Sequence, residues 1–173
     1  RARVLDELAP RVAQLVRLAE QCAVGITIDA EESERLELTL DLFEQLSRGH
    51  ALGLAVQAYQ KRALAVCDWL VGLRRRISVR LVKGAYKEPP DKAFPSKGDV
   101  DENFFKLATM LLSPEARAKG VRAIFGTHDP VLIRRIEEYG RAQNLPPAAL
   151  EFQMLYGIRR QEQERIRKAG CKF

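Results

Sequence analysis

Along this chain, segments with hydrophobic residues at helical spacing alternate with short apolar runs that are typical of strands. Recurrence at helical spacing, as at Leu5, Leu8, Val12 and Leu15, predicts amphipathic helices. Short apolar runs bounded by glycine or polar residues predict buried strands. The predicted helices are 2–22, 29–49, 60–74, 99–112, 130–143 and 161–169. The predicted strands are 26–28, 54–58, 77–82, 121–125 and 149–153, and 171–173 begins another.

Strict alternation of helix and strand with short connections is typical of parallel α/β folds with right-handed crossovers. Five strands can form a doubly wound open sheet or the middle of a (β/α)₈ barrel, which usually needs at least about 200 residues. No GxGxxG glycine pattern follows any strand, which weakens the dinucleotide-binding sheet. Polar residues instead recur at strand ends, which share one face in a barrel. The sequence therefore favours a TIM-like barrel, incomplete here, with about five strand–helix units over residues 1–173.

Composition narrows the class of protein. The 173 residues are 46% hydrophobic and 30% charged, which favours a globular domain over disorder. The net charge of +6 permits binding to nucleic acid, but the cations are dispersed and no stacking aromatic residues accompany them. No apolar run reaches the length of a membrane span, and the N-terminus does not resemble a signal peptide. A nucleic-acid-binding function is thus disfavoured.

Cysteine usage bears on metals and on the cellular compartment. Cys22, Cys67 and Cys171 are odd in number and widely spaced, and no CxxC or His/Cys ligand pattern accompanies them. Structural zinc and a disulfide framework are therefore not expected. Reduced thiols in a cytoplasmic setting are the simplest interpretation.

The stretch Ile77–Tyr86 carries the densest candidate chemistry. It begins as a strand and ends in Arg80, Lys83, Gly84 and Tyr86, which supply two cations, a residue that permits close backbone approach and a polar-tipped ring. Such a turn suits an anionic cofactor at the C-terminal end of a barrel, whereas the alternative is a strand whose charges face solvent. Arg80 favours the first interpretation, because arginine inside a parallel strand must find an anion or acceptor.

Other strand ends offer candidates with competing structural roles. Asp29 is a candidate base or partner for a cation, or alternatively a helix N-cap. Gln57 needs hydrogen-bond partners if it is buried, which favours a ligand. His128, which follows Thr127 and precedes a helix start, is a candidate ligand contact, a local cap or a core histidine. Residues alone leave these alternatives open.

Five sequence blocks occur in an order that resembles a known family. They are Ile28–Glu32 with Arg35–Glu37, Val56–Tyr59, Arg80–Tyr86, Thr127–His128 and Glu151–Gly157. This arrangement is similar to the proline dehydrogenase family, including the catalytic domain of the bifunctional proline utilisation proteins. The continuation Lys87–Pro89 resembles the monofunctional enzymes.

The resemblance implies a function. The expected fold is a distorted (β/α)₈ barrel that holds FAD noncovalently and oxidises L-proline to pyrroline-5-carboxylate. Hydride would pass from the proline ring to flavin N5, and electrons would leave to a quinone. Association with the inner face of a membrane and assembly into a homo-oligomer belong to the same expectation. The flavin supplies the difficult chemistry, and the protein supplies orientation and electrostatics.

The resemblance also assigns roles to residues. Arg80 would lie near flavin N5, where a cation stabilises the negative charge that builds on reduction. The implied cofactor contacts are Gln57, Arg80, Lys83, Gly84, Thr127, His128 and Gln153. Among them, Lys83 and Gly84 would meet the phosphate and ribityl portion, Gln57 the isoalloxazine, and Thr127 with His128 the adenosine side. The implied substrate-side residues are Asp29, Tyr86 and Leu155, and the implied catalytic set is Arg80, Asp29 and Tyr86.

The sequence departs from the family pattern at both ends. The family barrel begins with earlier strands, one bearing a substrate-site lysine, and ends with a helix whose Arg-Arg pair grips the proline carboxylate. Neither is present, so the resemblance implies that this chain alone does not turn over proline. Asp129 stands where many relatives have Asn. The alternatives are a noncatalytic barrel fragment that self-associates through unpaired strand edges, and another barrel enzyme that binds a phosphorylated ligand.

Overall fold

The chain folds into helices that alternate with short parallel strands. A computed structural model describes residues 2–173. The helices are α1 (Ala2–Gln21), α2 (Leu36–Ser47), α3 (Ala63–Gly72), α4 (Lys97–Leu111), α5 (Pro114–Ala118), α6 (Pro130–Ala142) and α7 (Arg160–Lys168). The strands are β1 (Thr27–Ile28), β2 (Leu52–Gln57), β3 (Ile77–Val82), β4 (Val121–Gly126) and β5 (Phe152–Gln153). Two 3₁₀ turns cover Ser33–Arg35 and Pro147–Ala149.

The strand order decides between the two predicted architectures. The strands lie in the order β1-β2-β3-β4-β5, and every adjacent pair is parallel. A doubly wound sheet reverses its strand order partway, and this sheet does not. Right-handed crossovers without reversal put all helices on one face. The predicted TIM-like barrel arc is therefore confirmed, and the doubly wound alternative is wrong.

The chain end adds to the same sheet. Lys172 forms a parallel bridge with Glu151, and its N–H donates to the Leu150 carbonyl at 2.9 Å. The Phe152 N–H donates in turn to the Lys172 carbonyl at 2.9 Å. The predicted start of another strand at 171–173 is thus confirmed, and the sheet continues beyond β5 in the same direction.

Some predicted element boundaries are wrong. The helix predicted from Asp99 begins at Lys97, because its N-cap is Ser96, whose Oγ accepts the Asp99 N–H at 3.1 Å. The helix predicted from 29 begins only at Leu36, after a 3₁₀ turn, so Asp29 stays outside any helix. Helix α5 was not predicted.

The two faces of the sheet differ in polarity. On β3, Ile77, Val79 and Leu81 are buried against the helices, while Ser78, Arg80 and Val82 are only partly buried and face the barrel interior. Large buried side chains fill the space between sheet and helices: Phe43, Phe104, Phe125 and Phe152. Alternation along β3 therefore delivers Arg80 to the inner face.

Phe125 is expected to be the most sensitive core position on β4. Its ring is fully buried and packs at 5.7 Å from the Phe152 ring, so Phe125→Ala leaves a cavity under the sheet. The free energy of unfolding should fall by about 3–5 kcal/mol in urea denaturation. Val131→Ala on the exposed face of α6 is the control, expected to change it by less than about 0.5 kcal/mol. A loss below about 1 kcal/mol for Phe125→Ala would contradict this packing.

The three cysteines are free thiols that lie in different environments. Cys67 is buried, and its desolvation raises the pKa of the thiol to about 12, so it stays protonated. Cys22 and Cys171 are also free thiols, at an exposed and a half-buried position.

Within residues 2–173, none of the helices combines the length and apolar character that crossing a membrane requires.

Candidate functional site

The predicted site residues converge on one cleft at the carboxyl ends of the strands. The cleft has a volume of about 590 Å³. The predicted residues that line it are Asp29, Gln57, Arg80, Lys83, Gly84, Tyr86, Thr127, His128 and Leu155. Because parallel strands in a barrel end on one face, residues far apart in sequence meet there. Only Gln153, among the predicted site residues, lies elsewhere.

Arg80 reaches across the inner face of the sheet to Asp29. Its Nη2 forms an ion pair with Asp29 Oδ1, and the Arg80 side chain is 27% exposed. In register between them on β2 lies Ala55, whose small side chain leaves the guanidinium room to pass. The anion that a mid-strand arginine requires is therefore Asp29, a partner for a cation rather than a helix cap.

Lys83 is held by carboxylates from two helix starts. Its Nζ lies 2.8 Å from Asp129 Oδ2 and 2.5 Å from Asp101 Oδ1, and Lys97 contacts both carboxylates from the other side. Asp129 also caps α6, accepting the Val131 N–H at 3.0 Å. Partial burial alone would raise the pKa of Asp129, but the Lys83 and Val131 contacts outweigh it and hold that pKa well below its usual range.

The backbone at Gly84 lies directly against an aromatic ring. Its φ of +131° lies in a region that L-residues rarely adopt, and a Cβ there would fall 2.2 Å from Tyr59 Cδ1. The strand-to-loop path is fixed on the other side by the Tyr59 N–H, which donates to the Lys83 carbonyl at 2.8 Å. Glycine at this turn is therefore a steric requirement, and it leaves the backbone close to the cleft.

Gln57 is almost fully buried, at 4% exposure, and its amide joins two loops. Nε2 donates to the Glu31 carbonyl at 2.9 Å, and Oε1 accepts the Ala85 N–H at 3.3 Å. These contacts give the buried amide of Gln57 a hydrogen-bond partner for its nitrogen and for its oxygen, as burial requires. The amide carries a second N–H, which is the group that a ligand in the cleft would use. A contact of Gln57 with an isoalloxazine stays a prediction.

Thr127 and His128 tie the end of β4 to its neighbours. Thr127 Oγ1 accepts the Asp129 N–H at 3.1 Å, and His128 Nε2 accepts the Leu155 N–H at 2.9 Å. Since Nε2 accepts, the proton of the neutral ring lies on Nδ1. His128 therefore orients the loop that carries Leu155 and offers Nδ1 as a donor.

Gln153 stands apart from the other predicted residues. It lies beside Gly126 in the sheet register, but it lines a second cavity of about 670 Å³, which lies toward the amino-terminal ends of the strands. Its neighbours there include the ion pair between Arg122 and Glu151, whose nearest atoms are 2.5 Å apart. Its assignment as a cofactor contact stays a prediction without a place in the main cleft.

Sequence reasoning missed several residues that shape the cleft. They are Glu31, Tyr59, Glu88, Lys97 and Asp101. Their contacts span loops and helix starts distant in sequence, so no local pattern reveals them. The weak signal available was charge: Lys97 and Asp101 are spaced four apart at the start of α4, where an ion pair on one helix face is common.

An arc of parallel barrel with a charged cleft at the carboxyl ends of its strands defines a β/α-barrel protein built to bind a polar ligand. The sequence profile described as Proline dehydrogenase matches residues 2–173. The chain therefore belongs to the proline dehydrogenase family.

Individual relatives are similar over nearly all of this chain. Bifunctional protein PutA of Escherichia coli (strain K12) is 37% identical over 177 residues, covering 90% of this chain and 13% of PutA. Proline dehydrogenase 2 of Bacillus subtilis (strain 168) is 34% identical over 167 residues, covering 96% of this chain and 53% of the relative. The chain thus spans about half the length of the shorter relative.

Solved structures share the fold. Proline utilization A (PutA) from Bdellovibrio bacteriovorus, inactivated by N-propargylglycine, superposes with a TM-score of 0.90 at 27% identity, covering 99% of this chain and 20% of that one. A second bifunctional PutA gives a TM-score of 0.86 at 33% identity, covering 97% of this chain and 18% of that one. The barrel arc is therefore the arrangement found in PutA.

Proposed function

We propose that this chain is the central part of a proline dehydrogenase barrel that binds FAD and oxidises L-proline to pyrroline-5-carboxylate. The observation that carries the proposal is the pair of charged donors at the carboxyl end of β3, where Arg80 lies on the strand and Lys83 and Gly84 follow it. Membership of the proline dehydrogenase family supports the substrate and the reaction. A quinone acceptor, contact with a membrane surface, assembly into a homo-oligomer and a cytoplasmic location are parts of the proposal that rest on the family resemblance and on the free thiols.

The chemistry of the cleft fits an anionic flavin nucleotide. Arg80 and Lys83 offer charged donors, His128 Nδ1 and the second amide N–H of Gln57 offer neutral ones, and Gly84 lets backbone approach closely. One feature opposes it: Asp129 and Asp29 also line the cleft, so the two cations are already paired. A phosphate at Lys83 must share that ammonium with carboxylates.

Each residue has a defined task in the proposed reaction. FAD, when bound, would accept the hydride at its N5. Arg80 would place a fixed positive charge where negative charge develops, and Asp29 would hold the guanidinium in orientation. Lys83 and the backbone at Gly84 would bind the phosphate portion, while Tyr86 and Leu155 would cover the substrate side and limit water.

Titration with FAD tests the cofactor assignment. The chain should quench flavin fluorescence with a single saturable phase, while a phosphorylated sugar at the same concentration should not displace the flavin. Displacement by the sugar would instead favour a barrel enzyme for a phosphorylated ligand. A folded chain that binds neither would favour the noncatalytic alternative.

Asp129→Asn is expected to tighten FAD binding by about fivefold. Asparagine keeps the N-cap acceptor for α6 but removes a charge that competes for Lys83, and the pair is partly exposed, so the gain is modest. Fluorescence titration measures the change, and Asp6→Asn on α1 is the matched control for loss of one carboxylate. Unchanged or weaker binding in Asp129→Asn would contradict a phosphate at Lys83.

The same carboxylate sets a pH dependence of stability. Because the folded-state pKa of Asp129 is depressed, its contribution is present above the unfolded value of about 3.9 and is lost as pH falls through the folded value. The wild-type unfolding free energy should therefore drop more steeply below about pH 4 than that of Asp129→Asn. Parallel curves in acid denaturation would contradict the Lys83–Asp129 pairing.

A further inference from the structure

We propose that Glu88 is a positioning residue, which fastens the loop after β1 to the loop after β3 and thereby fixes Asp29 and Tyr86 over the substrate side of the cleft. The role in substrate binding rests on the proposed function. The mechanical role rests on contacts of the described residues alone.

The central contact joins Glu88 to Ser33. Glu88 Oε1 accepts the Ser33 N–H at 2.6 Å, and Oε2 accepts the Ser33 hydroxyl at 2.7 Å. Both donors belong to one residue at the start of the 3₁₀ turn, so the carboxylate holds it at two points. The bond from the Ser33 N–H, followed by that from its hydroxyl, holds the pKa of Glu88 below its usual value. The carboxylate is therefore charged at neutral pH.

Two more contacts run parallel to this one. The Tyr86 hydroxyl donates to Glu31 Oε2 at 2.8 Å. The Gln57 amide lies between the loops, bonded to the Glu31 carbonyl and to the Ala85 N–H. Together these contacts span β2, whose C-terminal end lies between the two loops. We call the three contacts the loop latch.

The Glu88 side of the latch is anchored elsewhere. Downstream, the Phe94 N–H donates to the Tyr59 carbonyl at 2.8 Å, and the Lys61 N–H donates to the Lys92 carbonyl at 2.9 Å. Lys61 Nζ adds a bond to the Pro90 carbonyl at 2.7 Å. The loop after β3 is thus fastened to the segment that precedes α3. Glu88 therefore acts as the fixed part of the latch, and Ser33 belongs to the part that it holds.

The held loop carries a residue of the proposed active site. It begins at Asp29, which orients Arg80, four positions before Ser33. No side chain caps the 3₁₀ turn from its own preceding residue, Glu32, so its first N–H depends on Glu88. Loss of the latch should free Asp29 and Tyr86 while leaving Lys83 and Gly84 in place. Substrate binding should suffer more than cofactor binding.

Three variants separate this role from general stability. Ser33→Pro removes both donors, and the backbone accepts it, because Ser33 is the first residue of a helical turn and Glu32 has ψ near 151°. Glu88→Gln keeps the shape and an acceptor for the Ser33 N–H, but it removes the negative charge that strengthens both bonds to Ser33. Ser33→Thr keeps both donors and is the rescue variant. Glu115→Gln on α5, whose carboxylate pairs with Lys119 at the C-cap of the same helix, is the matched control.

The first readout is hydrogen–deuterium exchange of the chain without ligand. Ser33→Pro and Glu88→Gln should each speed exchange in both loops, 29–36 and 84–93, while α6 stays unchanged. Ser33→Thr and Glu115→Gln should match wild type. Faster exchange confined to the mutated loop would overturn the latch, since the two loops would then move independently.

The second readout is binding by the FAD-loaded chain. In Ser33→Pro and Glu88→Gln, the L-proline concentration for half-maximal flavin bleaching should rise about tenfold, as for loss of one charge-assisted hydrogen bond, with the FAD dissociation constant within about twofold of wild type. Equal weakening of both would make Glu88 merely structural and overturn the positioning role. If wild type binds no FAD, the proposed function fails and the substrate role of Glu88 fails with it, whereas the exchange readout still decides the latch.

Discussion

Replacing Gly84 with alanine is expected to lower the free energy of unfolding by about 2–5 kcal/mol and to abolish FAD binding. Two costs combine: the backbone at φ +131° disfavours a Cβ, and that Cβ would meet the Tyr59 ring at 2.2 Å. The ring is buried, so it cannot swing away without opening the core. Relief through the backbone would displace Lys83 and Arg80, the two cations of the cleft.

Urea denaturation and fluorescence titration measure the two effects. Gly98→Ala is the matched control, because the nearest atom to its added Cβ is 3.8 Å away in an exposed helix start, and it should be neutral or slightly stabilising. Adding Tyr59→Ala to Gly84→Ala should restore part of the lost FAD affinity by removing the clash. Wild-type stability in Gly84→Ala would show that the contact with Tyr59 is not as described.

Arg80→Met is expected to slow flavin reduction by L-proline about 10²- to 10³-fold, as for loss of one preorganised charge. The flavin midpoint potential should fall by about 30–60 mV, because the reduced, more negative form loses its cation. Folding should change little: Asp29 is 74% exposed, so water can solvate it when its partner is gone.

Stopped-flow reduction and spectroelectrochemistry give the two quantities. Arg80→Lys keeps the charge without the planar fork, so it should restore the potential more fully than the rate. Asp29→Asn keeps the cation but loosens it, and should retain most of the potential. An unchanged potential in Arg80→Met would place the guanidinium away from the flavin ring.

Much of this cleft was predictable because the barrel gathers strand ends. An arginine within β3 required an anion, and the structure supplies Asp29 from the start of the loop after β1. In the structure, alternation along β3 delivers Arg80 to the inner face. The strand ends that carry Gln57 and His128 also joined the cleft, since consecutive parallel strands put all such ends on one face.

What the sequence could not predict are contacts that depend on loop paths. The bond from Ser33 to Glu88 joins positions 55 residues apart, and the pairing of Lys83 with Asp129 joins positions 46 apart. No local sequence pattern indicates contacts between residues so far apart in the chain. The sequence predicts the helix from 99, although it begins at Lys97 behind Ser96, because Asp99 and Ser96 are both residue types that start helices well and only geometry distinguishes them. Gln153 was grouped with the cofactor contacts although β5 carries it toward a lower cavity.

The reaction proposed for this barrel is hydride transfer from L-proline to a flavin held beside Arg80. Its most direct test is the visible spectrum of the FAD-loaded chain after addition of L-proline without oxygen. Continuous turnover by this chain alone is not expected, because the sequence lacks the Arg-Arg pair that the resemblance associates with the proline carboxylate. The measurement is therefore one reductive half-reaction at high L-proline concentration, since weaker ground-state binding raises the concentration required. L-proline is expected to bleach the oxidised flavin, and D-proline is expected to leave it oxidised. Bound flavin that stays oxidised at saturating L-proline would contradict the proposed hydride transfer.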